Sequence, residues 1–217
     1  MSDEFKKETA SHKEVSRLEI PEEAIHRLIS NARNQRDRLV LELLIYTAAR
    51  RLEIILLRRK DIILQQNLIM MPTVKRKDGD AYKNRRPIPL FDEKLKIDLE
   101  SYMELTAIKF HLNEEDRLIR SIQFRKKEGL NPAMINKIVR ETAERAGVSS
   151  PDEEIRKYLA PHLLRHAFVR IARQRGINYK IIQEILGHKD ISTTFNMYGK
   201  PSIDEIRSEI KKMEGYG

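Results

Sequence analysis

Cysteine is absent from all 217 residues. Without it there is no disulfide framework, no thiolate metal site and no thiol nucleophile. No stretch of about 18 apolar residues occurs, so a spanning helix is excluded. The opening run MSDEFKKETASHKE is polar and mixed in charge, and it lacks the apolar segment of a signal peptide. These absences lead to the expectation of a cytoplasmic chain with no membrane partner. There is no G-x-x-x-x-G-K-[ST] loop and no H-E-x-x-H pattern. His162 and His166 stand four apart on the sequence but have no third ligand nearby, so neither a metal nor another cofactor is expected. Internal repeats and low-complexity linkers are also missing.

What is present is charge. Lys and Arg number 42 against 33 Asp and Glu, a formal +9. A basic excess favours polyanions, because neutralised phosphates release condensed counterions. The stretch from Lys75 to Arg86 holds six positive and two negative residues. Alone it reads as a solvated hairpin; beside the motifs below it reads as a DNA contact through Lys75, Arg76, Lys83, Arg85 and Arg86.

Periodicity gives a mainly α chain with a small three-stranded antiparallel sheet. Residues 1–17 form a polar lead. Pro21-Glu22-Glu23 opens a helix whose stripe is Ile25, Leu28 and Ile29. Helices follow at 36–47 and about 51–59. Ile62 to Met70 makes a short hairpin around Gln65-Gln66-Asn67. A third strand ends in Pro87-Ile88-Pro89-Leu90 after a turn at Asp78-Gly79. Asp92 caps a helix to about 110. Further helices are expected at 132–146, 162–175, 178–187 and 190–197. The tail carries Ile203, Ile206, Ile210 and Met213 at helical spacing over 202–214. The division expected is a lead (1–17), one catalytic domain (18–200) and an amphipathic tail (201–217).

The chemistry is concentrated in an ordered set. Tyr46-Thr47-Ala48-Ala49-Arg50-Arg51-Leu52-Glu53 is followed by the lysine-rich hairpin. His162-Leu163-Leu164-Arg165 comes next, then Leu186-Gly187-His188, Ser192-Thr193-Thr194 and Tyr198. Positions i and i+3 share a helix face, so His162 and Arg165 can address one phosphate. Each motif alone is weak. As an ordered series over roughly residues 18–200, they resemble the tyrosine recombinases, which include phage integrases and Xer-type resolvases. The family pattern is T-G-x-R-x-x-E, a hairpin lysine, H-x-x-R, G-H and a tyrosine.

The resemblance implies a site-specific recombinase that cuts and rejoins double-stranded DNA through a 3′-phosphotyrosine at Tyr198. It implies the tyrosine recombinase catalytic-domain fold and self-association on DNA, up to a tetramer in a synapse. Nucleoid association in the cytoplasm goes with that. Arg50 and Arg165 match the two arginines, His162 and His188 the two histidines, and Glu53 the acid supporting Arg50. The hairpin lysine is Lys77, before the Asp78-Gly79 turn, or Lys75 on the same strand face. Two fixed guanidiniums can neutralise a pentacoordinate phosphorus without a metal. The phosphotyrosine bond retains the energy of the broken one, so rejoining needs no nucleotide.

There are departures. Alanine at 48 replaces the family glycine, so the turn before Arg50 is open to change, and Arg51 competes with Arg50. No N-terminal DNA-clamping domain fits before residue 18, which suggests an excised catalytic domain or a minimal enzyme. Two other functions compete, a non-catalytic DNA-binding relative and a type IB topoisomerase. Retention of the tyrosine and both arginines speaks against the first, and the L-G-H…S-T-T…Y spacing against the second.

Overall fold

A computed structural model describes residues 20–74, 84–121, 129–149, 159–187 and 201–215. Its helices are α1 (Glu22–Ser30), α2 (Gln35–Tyr46), α3 (Arg51–Leu56), α4 (Glu93–Phe110), α5 (Pro132–Ala146), α6 (Pro161–Gln174), α7 (Tyr179–Leu186) and α8 (Ile203–Ile210). Three strands, β1 (Ile62–Ile63), β2 (Leu68–Pro72) and β3 (Arg85–Pro89), form one antiparallel sheet in the order β1-β2-β3. The mainly α architecture with a small sheet agrees with the sequence reading. No helix of the described residues is long and apolar enough to cross a membrane.

Helix α2 is the hub. Leu39, Val40, Leu41, Leu43, Leu44 and Ile45 are all fully buried, so the helix is apolar on every side over this stretch. A helix of that kind has to be enclosed, and α1, α4, α5 and α6 enclose it. Local chemistry fixes the ends of the elements. The Asn34 side chain accepts from the Asp37 amide at 3.0 Å, and Asp92 accepts from Leu95 at 2.8 Å. Asn131 and Pro132 open α5, and Gly147 closes it with φ +61°.

The sheet is smaller than the sequence suggests. Helix α3 stops at Leu56 instead of 59, and a 3-10 turn at Arg59–Asp61 leads into a two-residue β1. A second 3-10 turn, Leu64–Gln66, reverses the chain, and Asn67 completes it at φ 50°. The expected turn at Asp78-Gly79 and the helix at 190–197 lie outside the described residues.

Side chains alternate across the strands. In β3, Arg86 and Ile88 therefore face inward while Arg85 and Pro87 face the other way, and the register sets Arg86 opposite Met71 and Ile88 opposite Ile69. Pro87 and Pro89 cost no ladder bonds on an edge strand.

The tail folds back. Helix α8 starts at a reciprocal Ser202–Glu205 capping box and continues into a 3-10 turn, Lys211–Met213. It packs on β3, and the turn packs on α6. Ile206, Ile210 and Met213 are buried at 1%, 1% and 0% exposure, and Ile203 is half-buried. The stripe is thus satisfied within its own chain. Arg175 fastens it by donating to the Glu214 carbonyl at 2.8 Å.

Each buried aliphatic side chain contributes roughly 1.5–3 kcal/mol before ordering costs. Truncation after Lys200 should therefore lower the melting temperature by about 5 °C or more, at ~2–4 °C per kcal/mol. Calorimetry checks this, and an unchanged melting temperature would contradict the tail's docking onto its own domain.

Candidate active site

The site begins where α2 ends. The Thr47 hydroxyl donates back to the Leu43 carbonyl. Ala48 then turns with φ 49°, in the left-handed region. The turn thus has the backbone expected of glycine, although a side chain there costs roughly 1–2 kcal/mol. The alanine methyl is fully buried, and the Ala48 carbonyl accepts from Arg165 Nη1. The substitution leaves the turn in place.

Two residues on, Arg50 is the N-cap of α3. Its amide donates to Glu53 Oε2 at 2.8 Å and its Nη1 to Glu53 Oε1 at 3.0 Å. Arg51 is exposed and donates to Asn136 at 3.2 Å. Of the two neighbouring arginines, Arg50 is the one that reaches Glu53 and the Leu186 carbonyl.

Helix α6 starts with Pro161 in its first turn, which leaves His162 exposed and Arg165 one turn further in. Arg165 Nη2 donates to the Leu186 carbonyl at 2.7 Å, and Arg50 Nη1 reaches the same oxygen at 3.3 Å. Two guanidiniums, separated by more than a hundred residues in sequence, thus meet at the last carbonyl of α7. A helix C-terminus carries partial negative charge and unpaired carbonyls, so it is a natural resting place for cations.

Strand β3 supplies a third guanidinium. Arg86 is 4% exposed and Glu53 0%. The two form a fork, Nη1 to Oε1 at 3.0 Å and Nη2 to Oε2 at 2.9 Å, while Nε donates to the Ile185 carbonyl at 2.6 Å. The expectation that Arg86 contacts DNA is therefore corrected: the side chain is buried beneath the site. Arg85, on the opposite strand face, is ion-paired with Asp61 and does not line the cleft. Period-two alternation could have separated these two arginines in advance, since Arg86 shares its face with Ile88.

Burial alone would push the Glu53 carboxyl up. The Arg86 hydrogen bonds and charge, then the Arg50 amide and charge, outweigh burial and hold it below the ordinary carboxylate range. Glu53 is therefore an anion. Burial, and next the Arg50 charge, pull the Arg165 guanidinium down to about 9. It remains charged at neutral pH. Glu53 thus accepts from Arg50 and Arg86, and Arg165 lies close enough to feel the charges of all three.

A cleft of about 1090 Å³ opens in front of this group, lined by Arg50, His162 and Arg165 on one side. Asn136, Lys137 and Arg140 of α5 line it too, with Arg51 and Tyr179. The sequence reading missed the α5 residues. Their signal was present as a polar face at helical spacing opposite the buried Ile135, Ile138 and Val139. The rings of His162 and His166 stand edge to face, with centroids 6.0 Å apart. Lys75, Arg76, Lys77, Lys83, His188 and Tyr198 lie outside the described residues.

A family model described as the phage integrase family matches residues 19–204. The chain belongs to that family. Among its relatives is the tyrosine recombinase XerA of Thermococcus onnurineus, 28% identical over 179 residues, covering 82% of this chain and 55% of that protein. XerA of Saccharolobus solfataricus is 28% identical over 200 residues, covering 92% and 57%. Among solved structures, the crystal structure of XerA recombinase aligns with a TM-score of 0.65 at 24% identity, over 91% of this chain and 65% of that one. An integrase from mycobacterium phage Brujita aligns at 0.64 and 14%, over 90% and 57%. The fold is that of a tyrosine recombinase catalytic domain. The chain spans a little over half the length of the curated relatives it matches.

The buried fork makes a stability prediction. Glu53→Ala leaves Arg86 buried without its counter-ion, which costs about 3–5 kcal/mol. Urea unfolding measures it, and a loss below about 1 kcal/mol would show that solvent already screens the pair.

Proposed function

We propose that this chain is the strand-cleaving part of a site-specific DNA recombinase that works through a phosphotyrosine at Tyr198. The observation that carries the reading is the meeting of Arg50 and Arg165 at the Leu186 carbonyl, at the wall of a cleft that also exposes His162. Two guanidiniums fixed at one point suit a phosphate. Fixed positive charge at that point is worth most where negative charge develops, so it favours a pentacoordinate transition state over the ground state.

In this reading the Tyr198 oxygen attacks the scissile phosphorus and His162 takes the hydroxyl proton. Arg50 and Arg165 bind the two non-bridging oxygens, and His188 donates to one of them. The bond to the 5′ oxygen breaks, and that oxygen takes a proton from Lys77, or from Lys75 on the same strand face. Reversal with a new 5′ hydroxyl rejoins the strand. Lys75, Arg76 and Lys83 are assigned to the DNA backbone, joined by Lys137 and Arg140, which line the cleft. The partner is double-stranded DNA, with self-association on it up to a tetramer, in the nucleoid of the cytoplasm. Structural relatives include XerH bound to its difH substrate, 20% identical. A non-catalytic DNA-binding role is disfavoured by the retention of both arginines and Tyr198.

Duplexes carrying a site that this protein selects from a random pool provide the test. A nick placed just beyond the scissile phosphate should trap a covalent adduct that survives detergent. Tyr198→Phe should abolish it with DNA affinity nearly unchanged, since no charge is removed. Arg165→Ala should slow its formation by about a hundredfold or more. An adduct that persists in Tyr198→Phe would refute the assignment.

A further inference from the structure

Arg86 takes no step in the reaction above, yet the parts of the site meet at it. Its fork occupies one lone pair on each Glu53 oxygen, and the Arg50 amide and guanidinium occupy another on each. The carboxylate is then fully subscribed. The Nε–H of Arg86 holds the Ile185 carbonyl, one residue before the carbonyl shared by Arg50 and Arg165. Gly187 follows at φ +64°, and a Cβ there would stand 3.1 to 3.3 Å from Nη1, Cδ and Cζ of Arg86. The glycine beside His188 is thus required both by its backbone and by the arginine packed against it.

We propose that Arg86 is a positioning residue for phosphoryl transfer: from β3 it clamps Glu53 and the last turn of α7 into one arrangement, so that Arg50 and Arg165 meet the phosphate already aligned. This rests on the recombinase reading. The physical consequence is a competition. Without Arg86, Glu53 loses its forked partner and pulls harder on Arg50, drawing that guanidinium away from the phosphate. Lysine cannot substitute, because a point charge cannot fork onto two oxygens and also reach the Ile185 carbonyl. The strand that carries Arg86 follows the lysine-rich segment directly, so the clamp also ties the base of that hairpin to the arginine pair.

The test compares Arg86→Lys with the wild-type chain in single-turnover cleavage, on two substrates of the same sequence. One has the natural scissile phosphodiester. The other has a methylphosphonate, which lacks one anionic oxygen and so demands less of aligned arginines. The expected result is a loss of about tenfold or more on the phosphodiester, DNA affinity within about threefold, and a clearly smaller loss on the methylphosphonate. Equal losses on both would assign Arg86 to the fold alone and overturn the proposal, as would an unchanged rate.

Should Arg86→Lys fail to fold, the paired replacement of Glu53→Leu with Arg86→Met removes both charges and keeps the volume, a change buried pairs often tolerate. That folded variant should cleave slowly, and wild-type cleavage by it would overturn the proposal. If the wild-type chain forms no adduct at all, the recombinase reading fails. Arg86 is then judged by sulfate binding at the arginine pair: weaker binding in Arg86→Lys supports the clamp, and equal binding overturns it.

Discussion

Everything in the site hangs on the end of one short helix. The last two carbonyls of α7 receive three arginines from three different parts of the chain. Arg50 comes from the start of α3, Arg86 from β3 and Arg165 from α6. A helix C-terminus offers acceptors with partial negative charge and no partners of their own. The arginines are held close together against their own repulsion, so their arrangement is set by the fold.

Glu53 is the other half of that constraint. A lone carboxylate at 0% exposure would be expelled or protonated. Here it accepts from two arginines and remains ionised, and its charge makes the crowding of guanidiniums tolerable. Buried pairs of this kind rarely add much to stability compared with apolar packing. Here the pair also fixes where Arg50 and Arg86 point.

How much of this was legible in the sequence depends on the kind of signal. Helix ends were marked by caps such as Asn34, Asp92 and Asn131, and α2 announced itself as an apolar run that had to be enclosed. The ordered motifs named Arg50, Glu53, His162 and Arg165, and the structure brings all four to one cleft wall or to its immediate support. Ala48 gave a false warning, because a buried, over-determined turn can hold an alanine in a conformation that propensity disfavours. Arg86 was misread because a run of basic residues looks like a solvated face until strand alternation divides it. The role of the α7 terminus as an acceptor was invisible for a different reason. Main-chain carbonyls have no sequence signature, and only the fold shows which side chains come to them. For the tail stripe, periodicity left open which surface would cover it; β3 and α6 do so within the same chain.

The central claim is that Arg50 and Arg165, aligned on α7, prefer a pentacoordinate phosphorus to a tetrahedral one. Orthovanadate adopts that geometry between the tyrosine oxygen and a 5′ hydroxyl, whereas sulfate does not. The direct measurement is the affinity of the wild-type chain for a duplex lacking only the scissile phosphate, with vanadate or sulfate supplied at equal concentration. The account predicts binding about a hundredfold tighter with vanadate, with the gain lost in Arg165→Ala. Equal affinity with the two anions would contradict it.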